Sequence, residues 1–159
     1  MGSQPQPRTI SDAQGETLQL GTDRITIKID KEATGGQFSL VERDVAGHFQ
    51  SPPKFHAHQD TDWYCRVLEG RLNFMFNEQI TECKVGDAVF IPRGTFFRWA
   101  NPSAETARCL IIYTPGGFEG FFREMIPLIA SKSDKVGNYE QTLKDIERVQ
   151  DKYNLIRRP

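Results

Sequence analysis

Two of the three histidines in this chain, His56 and His58, stand two positions apart. In an extended segment that spacing turns both imidazoles to one face. Two imidazoles on one face suit two kinds of chemistry: either ring can take or give a proton near neutral pH, or both can ligate one divalent ion. His48, beside Gly47 ahead of a loop, reads as a surface residue. Aromatic rings are abundant, with eleven Phe against three Met and two Trp. They concentrate between residues 74 and 122, which predicts an aromatic-lined interior. With Trp63 and Cys65 facing inward on one strand, Tyr64 and Arg66 face outward. Asp60 and Asp62, in the turn-prone run Gln59-Asp60-Thr61-Asp62, read as solvated loop carboxylates.

The elements that must position these groups are mostly strands. From Arg24 onward Ile25, Ile27 and Ile29 alternate with Thr26, Lys28 and Asp30, the period of a half-buried strand. Strand-like runs follow at 37–45, 55–59, 63–68, 71–76, 80–85, 88–92, 96–100 and 107–114. Turn residues such as Glu69-Gly70, Gly86-Asp87 and Asn101-Pro102-Ser103 divide them. Many short strands with such punctuation predict an all-β sandwich or barrel. After Gly117 the period changes. Phe118, Phe121, Phe122, Met125 and Ile129 outline a short helix bent or stopped near Pro127. Tyr139, Leu143, Ile146, Val149 and Tyr153 outline a second, with Asn138 and Gln141 as its capping box. Residues 1–14 offer no periodic apolar face and read as a mobile tail. Residues 15–116 read as the barrel and 117–159 as a helical segment packed on it. There is no internal repeat, which excludes a double barrel.

The bulk properties narrow the field. At 159 residues the chain has the length of one domain. Lys plus Arg number 20 against 21 Asp plus Glu, so there is no bulk positive field to hold nucleic acid. No apolar run approaches a membrane span and no signal peptide is visible, so a soluble, cytoplasmic protein is expected. Cys65, Cys83 and Cys109 lack a C-x-x-C spacing and read as reduced, buried residues rather than a disulfide framework.

The segment Pro52-Pro53-Lys54-Phe55-His56-Ala57-His58, followed by Val67-Leu68-Glu69-Gly70, resembles the first motif of the cupin superfamily. Gly86-Asp87-Ala88-Val89-Phe90-Ile91-Pro92-Arg93-Gly94, ending at Asn101, resembles the second. The wider likeness, over roughly residues 15 to 155, is to single-domain cupins related to the quercetin 2,3-dioxygenase group. It implies a cupin (double-stranded β-helix, jelly-roll) barrel with two C-terminal helices, commonly a homodimer. It also implies a metal site of four ligands, to which His56 and His58 would belong. At the places where the motifs imply a Glu and a third His, this chain has Trp63 and Phe97, which offer no lone pair to an ion. A one-residue slip would bring Asp62 to the first of these places and give a two-His-one-carboxylate set, but it requires a bulge.

Three functional readings follow. The first is an enzyme of specialised metabolism acting on a hydrophobic, aromatic or polyketide-like molecule by acid–base chemistry of the isomerase, dehydratase, cyclase or lyase type. His56 and His58 would be catalytic, and Trp63, Cys65, Phe74, Phe76, Phe97 and Trp99 would bind substrate. It requires no cofactor, although a divalent metal could be weakly held. The second is a metal-dependent cupin dioxygenase using His56 and His58. The third is a small-molecule-binding cupin without catalysis. For Phe74 and Phe76, packing of the barrel interior is the favoured alternative to binding. Gly116-Gly117-Phe118 reads as a lid over the barrel mouth or as a hinge that docks the helices.

Overall fold

The computed structural model describes residues 4–51, 54–133 and 139–158. Two layers of antiparallel strands face each other. The larger sheet takes β1 (Glu16–Leu20), β2 (Asp23–Ile29), β3 (Ser39–Val45), β10 (Ala107–Thr114), β5 (Asp62–Glu69) and β8 (Ala88–Ile91), in that spatial order. The second layer comprises β7 (Gln79–Lys84), β6 (Arg71–Phe76) and β9 (Arg98–Ala100), beside the pair β4 (His56–His58) and β11 (Leu155–Arg157). A bridge between His56 and Phe97 joins the two parts of this layer. The architecture is the all-β sandwich expected from the strand pattern.

Alternation decides what each strand buries. Ile25 and Ile27 of β2, Val41 and Val45 of β3, Trp63, Cys65 and Val67 of β5, and Cys109, Ile111 and Tyr113 of β10 all point between the layers. The same period sends Arg43 of β3 inward. From the other layer Leu72 and Phe74 close the core completely. Asn101 organises the loop that leaves β9. Its amide donates to the carbonyls of Val45, Ala46 and Glu105 at 2.7–3.1 Å, and its Oδ1 accepts from the Ser103 backbone N–H and hydroxyl.

Helices α1 (Glu119–Ser133) and α2 (Tyr139–Lys152) close the chain. Glu119 opens α1 as a buried carboxylate, accepting the backbone N–H of Lys31 on one oxygen and of Gly117 on the other, both at 2.8 Å. A negative group there is favoured by the helix dipole. Of the bend or stop expected near Pro127, the stop does not occur, and α1 runs through it to Ser133. Pro127 removes one N–H donor, and packing of Phe122, Met125 and Ile126 in the interior holds the helix together around the loss. The capping box expected from Asn138 lies outside the described residues, as do Pro52 and Pro53 of the first motif.

Two strands go beyond the sequence reading. β1, where Leu18 and Leu20 pack against the core, precedes the first expected strand. β11 follows α2 and pairs with β4. Residues 11 and 12, assigned to the tail, are tied to the barrel. Lys28 Nζ donates to both of their carbonyls, and Arg108 donates to the Asp12 carboxylate. No described helix is long and apolar enough to cross a membrane.

Candidate functional site

β4 is only three residues long and wholly buried, and its extended backbone turns both imidazoles to one side. The ring centroids of His56 and His58 lie 5.6 Å apart. Their position is set by backbone pairing on each flank. His56 exchanges both amide hydrogen bonds with Phe97 at 2.9 and 3.1 Å, and the His58 carbonyl accepts from Gly94. This register lays the Phe97 ring 4.4 Å from His56. Trp63 follows at 5.1 Å from Phe97, and Tyr113, its cross-strand partner, lies on the same wall.

These residues line a cavity of about 380 Å³ between the sheets and the C-terminal helices, a volume suited to a small molecule. Trp99 lines it as well, and the C-terminal segment closes it with Phe118, Phe122, Leu143 and Ile146. Phe118 stands edge-on to His58 at 4.3 Å, so the segment read as lid or hinge forms part of the wall.

Of the residues expected to bind substrate, Trp63, Phe97 and Trp99 line the cavity together with both histidines. Cys65, Phe74 and Phe76 are not among its lining residues. Cys65 and Phe74 are packed in the core. Phe74 stacks parallel to Trp99 from behind, and Phe76 lies 6.4 Å from Phe97. Phe74 and Phe76 thus pack against lining rings. His48 is exposed, as expected.

Burial dominates the electrostatics. It pushes the His56 pKa down to about 4, with the charge of Arg157 adding to the effect, and the His58 pKa down to about 3, with His56 adding. Both rings are therefore neutral at pH 7. Among the described residues neither Nδ1 has a hydrogen-bond partner. Burial likewise raises the Tyr113 phenol, which stays protonated.

The donor set does not fit a resident metal ion. Trp63, not Asp62, faces the cavity. The Asp62 carboxylate instead accepts from Arg93 Nε, Nη2 and backbone N–H at 2.8–3.0 Å, and the Arg93 side chain holds its pKa below the usual range. The slipped set of His56, His58 and Asp62 is thus not formed. Among the described residues no three His, Cys, Asp or Glu side chains gather as a ligand group. Two imidazoles fall short of the three protein ligands typical of catalytic sites.

Sequence reasoning missed Arg43, Gln150 and Arg157 as lining residues. Arg43 was readable, since it shares the alternation of Ser39, Val41 and Val45. Gln150 follows Ile146 by one helical turn. Arg157 had no usable signal, because a three-residue strand carries almost no periodicity.

Residues 42–113 match the cupin domain family. Among curated proteins none matches the chain. Similar solved structures include KdgF from Halomonas sp., at 11% identity over 72% of this chain and 99% of that one, with a TM-score of 0.62. The polyketide cyclase RemF from Streptomyces resistomycificus is similar at 22% identity over 69% and 80%, TM-score 0.58. An RmlC-like cupin from Shewanella frigidimarina is similar at 16% identity over 73% and 98%, TM-score 0.57. Likeness at these identities shows the fold.

Proposed function

We propose that the chain, whose residues 42–113 match the cupin domain family, is an acid–base enzyme for a hydrophobic, aromatic or polyketide-like small molecule. The observation that carries this reading is the pair of neutral imidazoles, each with an Nδ1 that has no hydrogen-bond partner among the described residues, on the wall of an aromatic cavity. Trp63, Phe97 and Trp99 would hold a planar substrate by stacking, while His56 or His58 works at one edge of it. The imidazole takes a proton from an acidic carbon, leaving an enolate. It then returns that proton to another carbon, to a departing hydroxyl that leaves as water, or to the alkoxide formed when the enolate carbon attacks a second carbonyl of the same molecule and opens its C=O π bond. The outcome is an isomerisation, a ring closure or a dehydration, with no net change in oxidation state. An imidazole of pKa about 4 is a weak base in the empty cavity. Negative charge developing on the substrate would raise that pKa toward the working pH, where proton transfer is most effective. The likeness of the fold to a polyketide cyclase is compatible with such chemistry.

The test is deuterium exchange from D₂O into a panel of aromatic ketones and β-diketones, followed by NMR. Saturable exchange by the wild type, lost in His56→Ala or His58→Ala, is the expected result. Exchange retained in both variants would move the base elsewhere. Binding of the panel without any exchange would favour a cupin that binds without turnover.

A further inference from the structure

The charges on the cavity wall are all of one sign. Two guanidiniums, Arg43 and Arg157, line it, and among the described residues no Asp or Glu does. Arg43 is already matched. Its Nε donates to Asp23 Oδ2 at 2.8 Å, its Nη2 donates to the same oxygen, and its guanidinium lies 4.7 Å from the ring centroids of both Phe49 and Trp99.

Arg157 is different. It has no carboxylate within ion-pair distance among the described residues, and it lines the cavity while remaining exposed to solvent on its other side, its partial covering lowering the guanidinium pKa. Arg157 is also the cross-strand partner of His56, so the two side chains leave the ladder on the same face. Arg158, one residue on, points the other way and stacks on Phe96 at 4.1 Å.

Resting on the acid–base reading above, we infer that the cavity takes an aromatic monocarboxylate, its carboxylate anchored by Arg157 beside His56 and its rings against Phe97 and Trp63. A guanidinium fork matches a carboxylate with two parallel hydrogen bonds, and partial desolvation strengthens them. One unpaired guanidinium on the cavity wall matches one negative charge on the ligand, which favours a carboxylate over a dianionic phosphate. The same wall would reject an ammonium ligand.

Binding of 2-naphthoate and of its neutral isostere 2-naphthamide at pH 7 tests this, with affinity read by calorimetry. The indole N–H signals in ¹⁵N NMR report occupancy, because both tryptophans of the chain, Trp63 and Trp99, line the cavity. The expected result is an affinity for the carboxylate higher by about tenfold or more. Arg157→Gln should abolish that preference while leaving amide binding intact, and Arg158→Gln should leave it unchanged. Equal affinities in the wild type, or a preference that survives Arg157→Gln, would overturn the anchor and leave the aromatic acid–base pocket standing. Failure of both probes to shift either indole signal would overturn the inference together with the pocket reading beneath it.

Discussion

Arg157 stands directly across the β4–β11 ladder from His56, so the last strand of the chain sets a guanidinium on the same cavity wall as an imidazole. The pairing gives the site a charged corner in an otherwise aromatic chamber. It also makes β11 part of the site, since Leu155, the partner of His58, lines the cavity too.

The buried histidines make stability depend on pH. Their folded pKa values of about 4 and about 3 lie below the ordinary 6.5. Above pH 6.5 both states carry neutral rings and the effect vanishes. Below it the unfolded chain binds protons that the folded chain refuses, so stability falls by up to about 1.4 kcal/mol per pH unit for each histidine, levelling off near pH 3 to 4. Urea midpoints should drop between pH 6.5 and 5, above the range where the carboxylates titrate. A His56→Gln/His58→Gln variant should show a much flatter profile; an equally steep one would remove the histidines as the cause.

Asp23 and Arg43 form a buried ion pair whose other carboxylate oxygen accepts the Ala46 N–H at 3.1 Å. Removing one partner strands the other. Arg43→Met should therefore destabilise by about 3–5 kcal/mol. Combining it with Asp23→Leu should recover a large part of that loss, measured by chemical denaturation as a double-mutant cycle.

Trp63 and Phe97 stand where the motif resemblance implies donors that would complete a ligand set with His56 and His58. The Trp63→Glu/Phe97→His variant should bind Co²⁺, visible as ligand-field absorption that Zn²⁺ bleaches. Absence of binding in a folded variant would mean that these two side chains do not converge with the imidazoles on one point.

Gly120, in the first turn of α1, faces Tyr153 beyond the end of α2. A Cβ there would collide with the Tyr153 hydroxyl and lie 3.1 Å from its Cζ. That hydroxyl also donates to Glu124 at 2.6 Å. Gly120→Ala should cost about 1–3 kcal/mol. Tyr153→Phe in the same background should return part of it, and simple additivity of the two changes would argue against the contact.

The strands of the barrel were legible because each buries one face, and the alternation of Ile25 and Ile27 or of Trp63, Cys65 and Val67 shows this directly. The His56–His58 pair was legible for the same reason. Phe74 shows the limit of that signal: alternation says that a side chain points inward, not whether it meets a cavity or another ring. Pro127 shows another. A local helix breaker was overridden by apolar contacts from residues distant in the chain.

By itself the sequence determined the alternating strands, the two motifs and the two imidazoles on one face, since these depend on contacts between near neighbours and on the fixed periods of the backbone. The tertiary structure decided which inward residues border the cavity, that Arg43 meets Asp23, and that Arg157 arrives beside His56. Those pairings join residues 20 and 101 positions apart in the chain, and they exist only once long-range strand pairing has closed the sheets and brought the C-terminus back against β4.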